Sequence, residues 1–440
     1  MRFRSRLTKF ACLVSLTSLC AAAAAAESVP VRSSALPALE RLTLRQAEIL
    51  FGERNRELQL AQRAVEGAEA DVLSASAPPN PSLSISSTQI SPGAGIGAGS
   101  LRDKRIDTVI GLSQLFERGN KRELRSSAAQ FNATAVRGDR TEVERQQKVA
   151  LHGAYYDLVL AQEKLRISGE TAAAFEKTME AASLRLRTGD IAPTELARIS
   201  VDALRAQNDA RAARAEKEKA QLALAYLIGV EREAARIHAA DGWPQTPLPA
   251  DVSALENLLE RRADVQAARA RVAAAEKIRE LARALRTRDI TAGVQYERFP
   301  GDVSSNNSYG FFISVPLFTR YYYEGEIRRA ESDLQAARDH LERVRALALG
   351  EIARSRSDLQ SAAERVGRFR EVLLAAAEKA ANGAEFAYSR GAIGVMDLLD
   401  ARRQLYATRL EAAAVLADYA KALAAWRAAT ATANIDSSTP

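Results

Sequence analysis

Histidine and cysteine, the residues that most often hold metals or act as nucleophiles, are nearly absent from this chain. Its 440 residues include three histidines, His152, His238 and His340, no two of them within ten residues of each other, and two cysteines, Cys12 and Cys20. Zinc sites draw their ligands from Cys and His a few residues apart, and that pattern does not occur. There is no HExxH, GxSxG or phosphate-binding GxxxxGK(S/T) motif. The glycine-rich run Gly93–Gly99 joins two expected strands instead of a strand and a helix, so it reads as a loop. The sequence suggests no catalysis, no cofactor and no metal site in the monomer. Any metal that meets this chain would be in transit.

The formal charge is +7. Arg2, Arg4, Arg6 and Lys9 supply four of those charges. The remainder, 58 Lys plus Arg against 55 Asp plus Glu, carries +3, a weak basis for binding nucleic acid. The same four residues head a secretory signal: a basic start, an apolar stretch from Phe10 to Leu19, and small residues ending at Ala26. Cleavage after Ala26 is expected, which removes both cysteines. A lipid anchor on Cys20 is the competing reading, but Leu19 stands where a small residue is wanted. The longest apolar run beyond the signal, Leu222 to Val230, is far short of the ~20 residues of a spanning helix. An exported chain of this kind enters a membrane only as a β-barrel.

Prolines at 30, 37, 78, 79, 81, 92, 193, 244, 247, 249, 300, 316 and 440 punctuate long intervals of strong helix formers. Six helical stretches follow: Leu42–Ala77, Lys121–Arg187, Thr194–Ile228, Val252–Thr287, Gly325–Ser389 and Val395–Thr430. They run short, long, short, twice over. At 1.5 Å per residue the long ones reach ~100 Å, and two short ones stacked end to end match one long one. Heptads mark both long stretches: Leu151, Leu158, Leu165, Ala172, Met179 and Leu186 in the first, Ile352, Leu359, Val366, Leu373 and Ala380 in the second. Leu115-Phe116 recurs as Leu317-Phe318, and Gly189 as Gly391, at a separation of 202. Within the long helices 201 aligns better. The chain is an internal duplication.

Between the first two helices of each half the hydrophobic period becomes two. Leu83 and Ile85, then Ile106, Thr108, Ile110 and Leu112, form one hairpin. Ile290, Ala292, Val294 and Tyr296, then Tyr309, Phe311, Ile313 and Val315, form the other. Strands of about ten residues suit a membrane barrel. Nine of the 25 aromatic residues lie between Tyr296 and Tyr323, as in an interfacial girdle. A soluble sheet packed on the helices would also alternate, so the pattern alone leaves both readings open. Small barrels need about eight strands, so a membrane reading requires several copies to share one barrel.

These features resemble the TolC-like outer-membrane efflux family over about Leu42 to Thr430. The most specific pieces are Leu112-Ser113-Gln114-Leu115-Phe116 with Gly119-Asn120-Lys121-Arg122 and Arg125, then Val315-Pro316-Leu317-Phe318 with Gly325-Glu326-Ile327. Equally telling is Tyr388 with Gly391 and Val395-Met396-Asp397-Leu398-Leu399-Asp400-Ala401. The Gly-x-Lys-Arg junction is similar to the outer-membrane component of cobalt–zinc–cadmium exporters, with Asn120 where that subgroup more often has glycine.

The resemblance implies a mainly α fold with a membrane β-barrel part: a duplicated helix–hairpin–long helix–helix unit whose homotrimer forms a twelve-stranded barrel in the outer membrane and a long helical tube in the periplasm. Its implied layout is a signal (1–26), an N-terminal extension (27–41), repeat 1 (42–228, hairpin 81–117), an equatorial linker (229–251), repeat 2 (252–430, hairpin 288–318) and a tail (431–440). The implied partners are a periplasmic adaptor of the membrane fusion type, an inner-membrane RND-type pump and outer-membrane lipid. By match to the family motif, Asp397 and Asp400 line the pore near its tightest point. Tyr388 with Thr194 and Glu195 would latch it shut, and Ile393 replaces an arginine of that latch. Gly189, Ile191, Pro193, Gly391, Ile393 and Gly394 are the implied adaptor contacts at the helix turns. The expected function is a passive exit duct for heavy-metal cations, gated by adaptor docking. The competing readings are a duct for drugs or other organic solutes, or a soluble periplasmic coiled-coil scaffold.

Overall fold

A computed structural model of the chain describes residues 39–88, 90, 98–99, 106–245, 255–300 and 305–431. The signal segment with Cys12 and Cys20, most of the glycine-rich loop and nearly all of the C-terminal tail lie outside these residues.

Repeat 1 comprises α1 (Leu44–Arg54), α2 (Arg56–Ser76), β1 (Ser82–Thr88), β2 (Asp107–Phe116), α3 (Lys121–Arg187) and α4 (Pro193–Ile228). Repeat 2 comprises α5 (Leu255–Glu260), α6 (Ala263–Ala284), β3 (Ile290–Pro300), β4 (Ser305–Ser314), α7 (Glu324–Arg368), a π-helical turn (Phe369–Leu373), α8 (Leu374–Ser389) and α9 (Val395–Ala429). The expected bounds of the first long helix are met at both ends. Three expected helices are interrupted, each for a physical reason.

The first interruption is at Asn55. Its carboxamide oxygen accepts from the Leu58 N–H (3.1 Å) and starts α2, while its Nδ2 donates to the Leu227 carbonyl (3.0 Å) at the end of α4. Asn55 thereby splices α2 onto the end of α4. The second is at Arg262, an N-cap in extended conformation, only 1% exposed. Its Nη1 donates to the Ala429 carbonyl (3.0 Å) at the end of α9, and its other guanidinium nitrogens bond Asp264 and Glu351. In each repeat, then, two short helices are joined end to end beside one long helix, as their lengths suggested.

The third interruption is the π-turn. Up to Val366 the heptad runs as expected: Ile352, Leu359 and Val366 are buried at 2% or less. A π-turn inserts one residue into a helix, and the seam shifts with it. Leu373 and Ala380 are exposed and Ala381 is buried instead. This inserted residue is the reason the repeat separation slips from 201 in the long helices to 202 at Gly189 and Gly391.

The four strands form one antiparallel sheet in the order β1-β2-β3-β4. The register sets Leu83 opposite Leu112, Ile85 opposite Ile110, Ile110 opposite Tyr296, Val294 opposite Phe311 and Tyr296 opposite Tyr309. All the expected inward-or-outward alternation therefore converges on one apolar face. No described helix packs on that face: Tyr309 is 84% and Phe311 85% exposed. The alternative of a soluble sheet packed on the helices does not hold. Among the described residues both outer edges, β1 and β4, are unpaired.

The helical cores lie elsewhere. One gathers Leu42, Phe51, Tyr155, Leu158, Leu224 and Ile237 where α1 meets α3 and α4. There Leu42 bridges Ala239 in parallel and Trp243 stacks on Tyr156. Another holds Phe175, Ile199 and Leu399 near the far helix ends.

Candidate functional site at the helical tip

The end of the helical body remote from the sheet is made of two turns, α3 to α4 and α8 to α9. Each long helix stops on a glycine in the left-handed region, Gly189 at φ +83° and Gly391 at φ +75°. The N–H of Gly189 donates to Leu186 and that of Asp190 to Arg185. The N–H of Gly391 donates to Tyr388 and that of Ala392 to Ala387. This pair of bonds, one from the glycine and one from the residue after it, is the Schellman arrangement, identical in the two repeats. Pro193 opens α4 at its first turn, where a missing N–H costs nothing. Gly394 is the N-cap of α9.

Gly189, Pro193, Gly391 and Gly394 are exposed, and Ile191 and Ile393 half-buried. The six residues implied as docking contacts thus occupy the two turns. Beneath them Phe175, Ala182, Ile199, Ala203, Val395 and Leu399 form one small core to which all four helices, with Tyr388 and Ile191, contribute.

Asp397 and Asp400 lie on the first turns of α9 and are both exposed. They are not equivalent. Asp400 pairs with Nη1 of Arg403 (2.8 Å), whose Nη2 also reaches Asp202 on α4 (3.2 Å). Asp202 is mostly buried, with its side chain 10% exposed, so it anchors the arginine. Asp397 has no side-chain partner among the described residues. Arg403 is a partner of this candidate site that sequence reasoning missed; its position three residues after Asp400 was the available signal.

Tyr388 also has a partner that the sequence did not show. Within one chain its hydroxyl accepts from Nη1 of Arg185 (2.8 Å), and the guanidinium sits 5.7 Å from the ring centre. Arg185 thus ties the end of α3 to the end of α8. Thr194 is exposed and Glu195 half-buried, and neither bonds Tyr388 within the chain. Alongside, a groove of about 770 Å³ runs between α3 and α8 over α9, with Phe175 and Thr178 on one wall, Glu385 on the other, and Arg402 and Tyr406 on its floor. Arg402 crosses it, bonding Thr178 (2.6 Å) and Glu385 (3.2 Å).

The Gly-x-Lys-Arg junction has a structural explanation. Gly119 and Asn120 take left-handed φ values of +73° and +55°, and Lys121, 8% exposed, bonds both oxygens of Asp289 (2.8 Å) and the Thr287 carbonyl (2.8 Å). Arg125 holds Glu117 with two bonds (2.7 and 3.1 Å). The motif locks the strand-to-helix turn of repeat 1 onto repeat 2. Of the histidines, His152 meets Glu48 (2.7 Å) and His238 the Ala239 carbonyl (3.0 Å). Among the described residues no group of three or more His, Cys, Asp or Glu is placed to hold a metal ion.

Comparison with known proteins agrees with this fold. The cobalt-zinc-cadmium resistance protein CzcC of Cupriavidus metallidurans is 24% identical over 383 residues, covering 85% of this chain and 86% of that one. The crystal structure of CusC, solved in work on its folding and transmembrane channel formation, superposes with a TM-score of 0.73 at 20% identity, over 89% of this chain and 92% of CusC. The CmeC outer membrane channel of Campylobacter jejuni superposes with a TM-score of 0.76 at 17% identity, over 88% of this chain and 85% of CmeC. The outer membrane efflux protein model matches residues 51–230 and again 254–432, once for each repeat. This chain belongs to the outer membrane efflux protein family.

Proposed function

We propose that this protein is the outer-membrane exit duct of a tripartite exporter of heavy-metal cations such as cobalt, zinc, cadmium or nickel. The observation that carries the duct reading is the sheet: four strands, one bare apolar face and two unpaired edges. Such edges cannot face lipid unpaired. Strands β1 and β4 run in opposite directions, so β4 of one copy can pair antiparallel with β1 of the next. Three copies close a twelve-stranded barrel, and their helices continue it as a periplasmic tube. The metal assignment rests on the likeness to CzcC along most of both chains.

In this reading the duct is passive. An inner-membrane pump of the RND type supplies energy and selection, and a periplasmic adaptor docks on the turns carrying Gly189, Ile191, Pro193, Gly391, Ile393 and Gly394. The three copies of α9 bring Asp397 and Asp400 to the narrowest point, where rings of carboxylates favour cations over anions. Tyr388, Thr194 and Glu195 form the latch, with Arg185 holding the tyrosine from its own chain and the other two reaching it when the helix pairs close together. Adaptor docking draws the α8–α9 pairs outward and releases the latch.

The test is metal content and growth of a strain lacking this protein under graded zinc, cobalt and cadmium, with a lipophilic dye as control. Hypersensitivity with metal retention and normal dye efflux is expected. Normal metal handling with dye retention would overturn the metal assignment and leave a duct for organic solutes.

A further inference from the structure

Where the sheet passes into the helices, three loops carry arginines that no described residue neutralises. Arg118 stands just past β2, Arg288 just before β3 and Arg320 beyond β4. All three are exposed, and among the described residues none has an ion-pair partner. The acidic groups beside them are already engaged. Glu117 is held by Arg125 (2.7 Å) and Asp289 by Lys121 (2.8 Å). Glu326 accepts from the Tyr321 hydroxyl (2.5 Å) and Glu324 from the Tyr322 N–H (3.0 Å).

The three arginines border one ledge of aromatic rings. The Arg118 N–H donates to Asp289 (2.9 Å), the neighbour of Arg288. The Arg288 guanidinium lies 5.4 Å from the centre of the Phe318 ring. Phe318 packs edge-on against Tyr322 and Tyr323, and Arg320 sits between Phe318 and Tyr321 in sequence. On the sheet side of the ledge are exposed apolar residues: Leu115, Phe116, Val315 and Leu317, the last 76% exposed. Within a few residues the surface passes from apolar to aromatic to unpaired cation.

We propose that this ledge binds anionic phospholipid headgroups of the periplasmic leaflet, with Arg118, Arg288 and Arg320 on the phosphates and Phe318, Tyr321 and Tyr322 at the level of the glycerol. The proposal rests on reading the sheet as a barrel segment in the outer membrane. Guanidinium matches phosphate geometry with two parallel bonds, tyrosine rings settle at the water–lipid boundary, and basic clusters at that boundary attract anionic lipid. Free phosphate shares the headgroup chemistry but cannot use the apolar residues above it, and those residues point to the lipid.

The test is native mass spectrometry of the full-length protein extracted in mild detergent, followed by titration with phosphatidylglycerol, phosphatidylethanolamine and inorganic phosphate. Wild type is expected to retain phosphatidylglycerol over phosphatidylethanolamine, with inorganic phosphate a poor competitor. The variant Arg118→Gln/Arg288→Gln/Arg320→Gln is expected to bind phosphatidylglycerol on the order of a hundredfold more weakly, while Arg343→Gln/Arg354→Gln, exposed on α7, binds like wild type. Arg320→Gln alone, which breaks no bond among the described residues, is expected to lose about fivefold and serves if the triple variant does not fold. Unchanged retention in the folded variants, equal retention of the two lipids, or full displacement by inorganic phosphate would overturn the proposal. Failure of wild type to form a heat-modifiable barrel would instead overturn the membrane reading on which it rests.

Discussion

The two repeats solve one problem with different chemistry. Each must join two short helices end to end beside a long one. Repeat 1 uses Asn55, a neutral side chain that caps α2 and satisfies the Leu227 carbonyl. Repeat 2 uses Arg262 for the equivalent carbonyl, Ala429, 202 positions after Leu227. A buried cation requires counter-charges, and it has them in Asp264 and Glu351, the second of which Arg145 of α3 also holds (2.7 Å). An amide splice concerns two helices, whereas the charged one draws in α3, α6, α7 and α9. Repeat 2 also carries the π-turn and an acidic tip: Asp397 and Asp400 stand where repeat 1 has Glu195 and Arg198. The first repeat reads as the more regular scaffold, the second as the part adapted to a special position.

This contrast sets the expected sizes of effect. Arg262→Ala is expected to cost the most, about 3 kcal/mol. That is the low end for breaking a buried pair, since Glu351 and Asp264 keep partial access to water. Asn55→Ala should cost about 1–2 kcal/mol, for a lost cap and an unsatisfied carbonyl. Denaturant titration of both variants checks the order, and a larger loss from Asn55→Ala would break the comparison.

The charged splice is also expected to respond to acid. Burial acts to raise the Glu351 carboxyl, but bonds from Arg145 and Arg262 outweigh it and hold the group below its ordinary value of 4.5. A depressed carboxylate stabilises the fold above its unfolded value, and that contribution is lost as pH falls through the folded one. Wild type should therefore lose stability below about pH 4.5, and Glu351→Gln should flatten that slope while lowering stability at neutral pH.

At the tip the repeats should behave alike. A Cβ at Gly189 or Gly391 meets nothing within 4 Å, so alanine at either costs only the left-handed backbone, about 1 kcal/mol. Unequal losses in thermal scans of the two variants would show that one turn has a role beyond capping. The smallest effect on stability belongs to Asp397 and Asp400, which the proposed trimer would bring together as rings. Asp397→Asn should reduce cation preference in planar bilayers more than Asp400→Asn, because Arg403 already balances Asp400. Equal shifts in reversal potential would remove Arg403 from the selectivity of the pore.

Much of this was legible in the sequence because the patterns are periodic. Heptads located the long helices, a period of two located the strands, and the recurrence of Gly189 as Gly391 located the turns. The misses share a different cause. Asn55 and Arg262 sit in runs of good helix formers, and only a distant carbonyl, invisible to local pattern, breaks the helix there. The π-turn left one trace, the slip from 201 to 202, which a repeat comparison detects but cannot place. At the site, the match to the family motif singled out Asp397, Asp400 and Tyr388, but their partners Arg403 and Arg185 depend on which side chains the packing brings together.

The central claim, that one chain supplies a third of a closed barrel, is tested most directly by the mass of the detergent-extracted, full-length protein with detergent subtracted. Three copies in a particle that runs as a heat-modifiable band is the expected result. A monomer, or a protein recovered in solution without detergent, would contradict it.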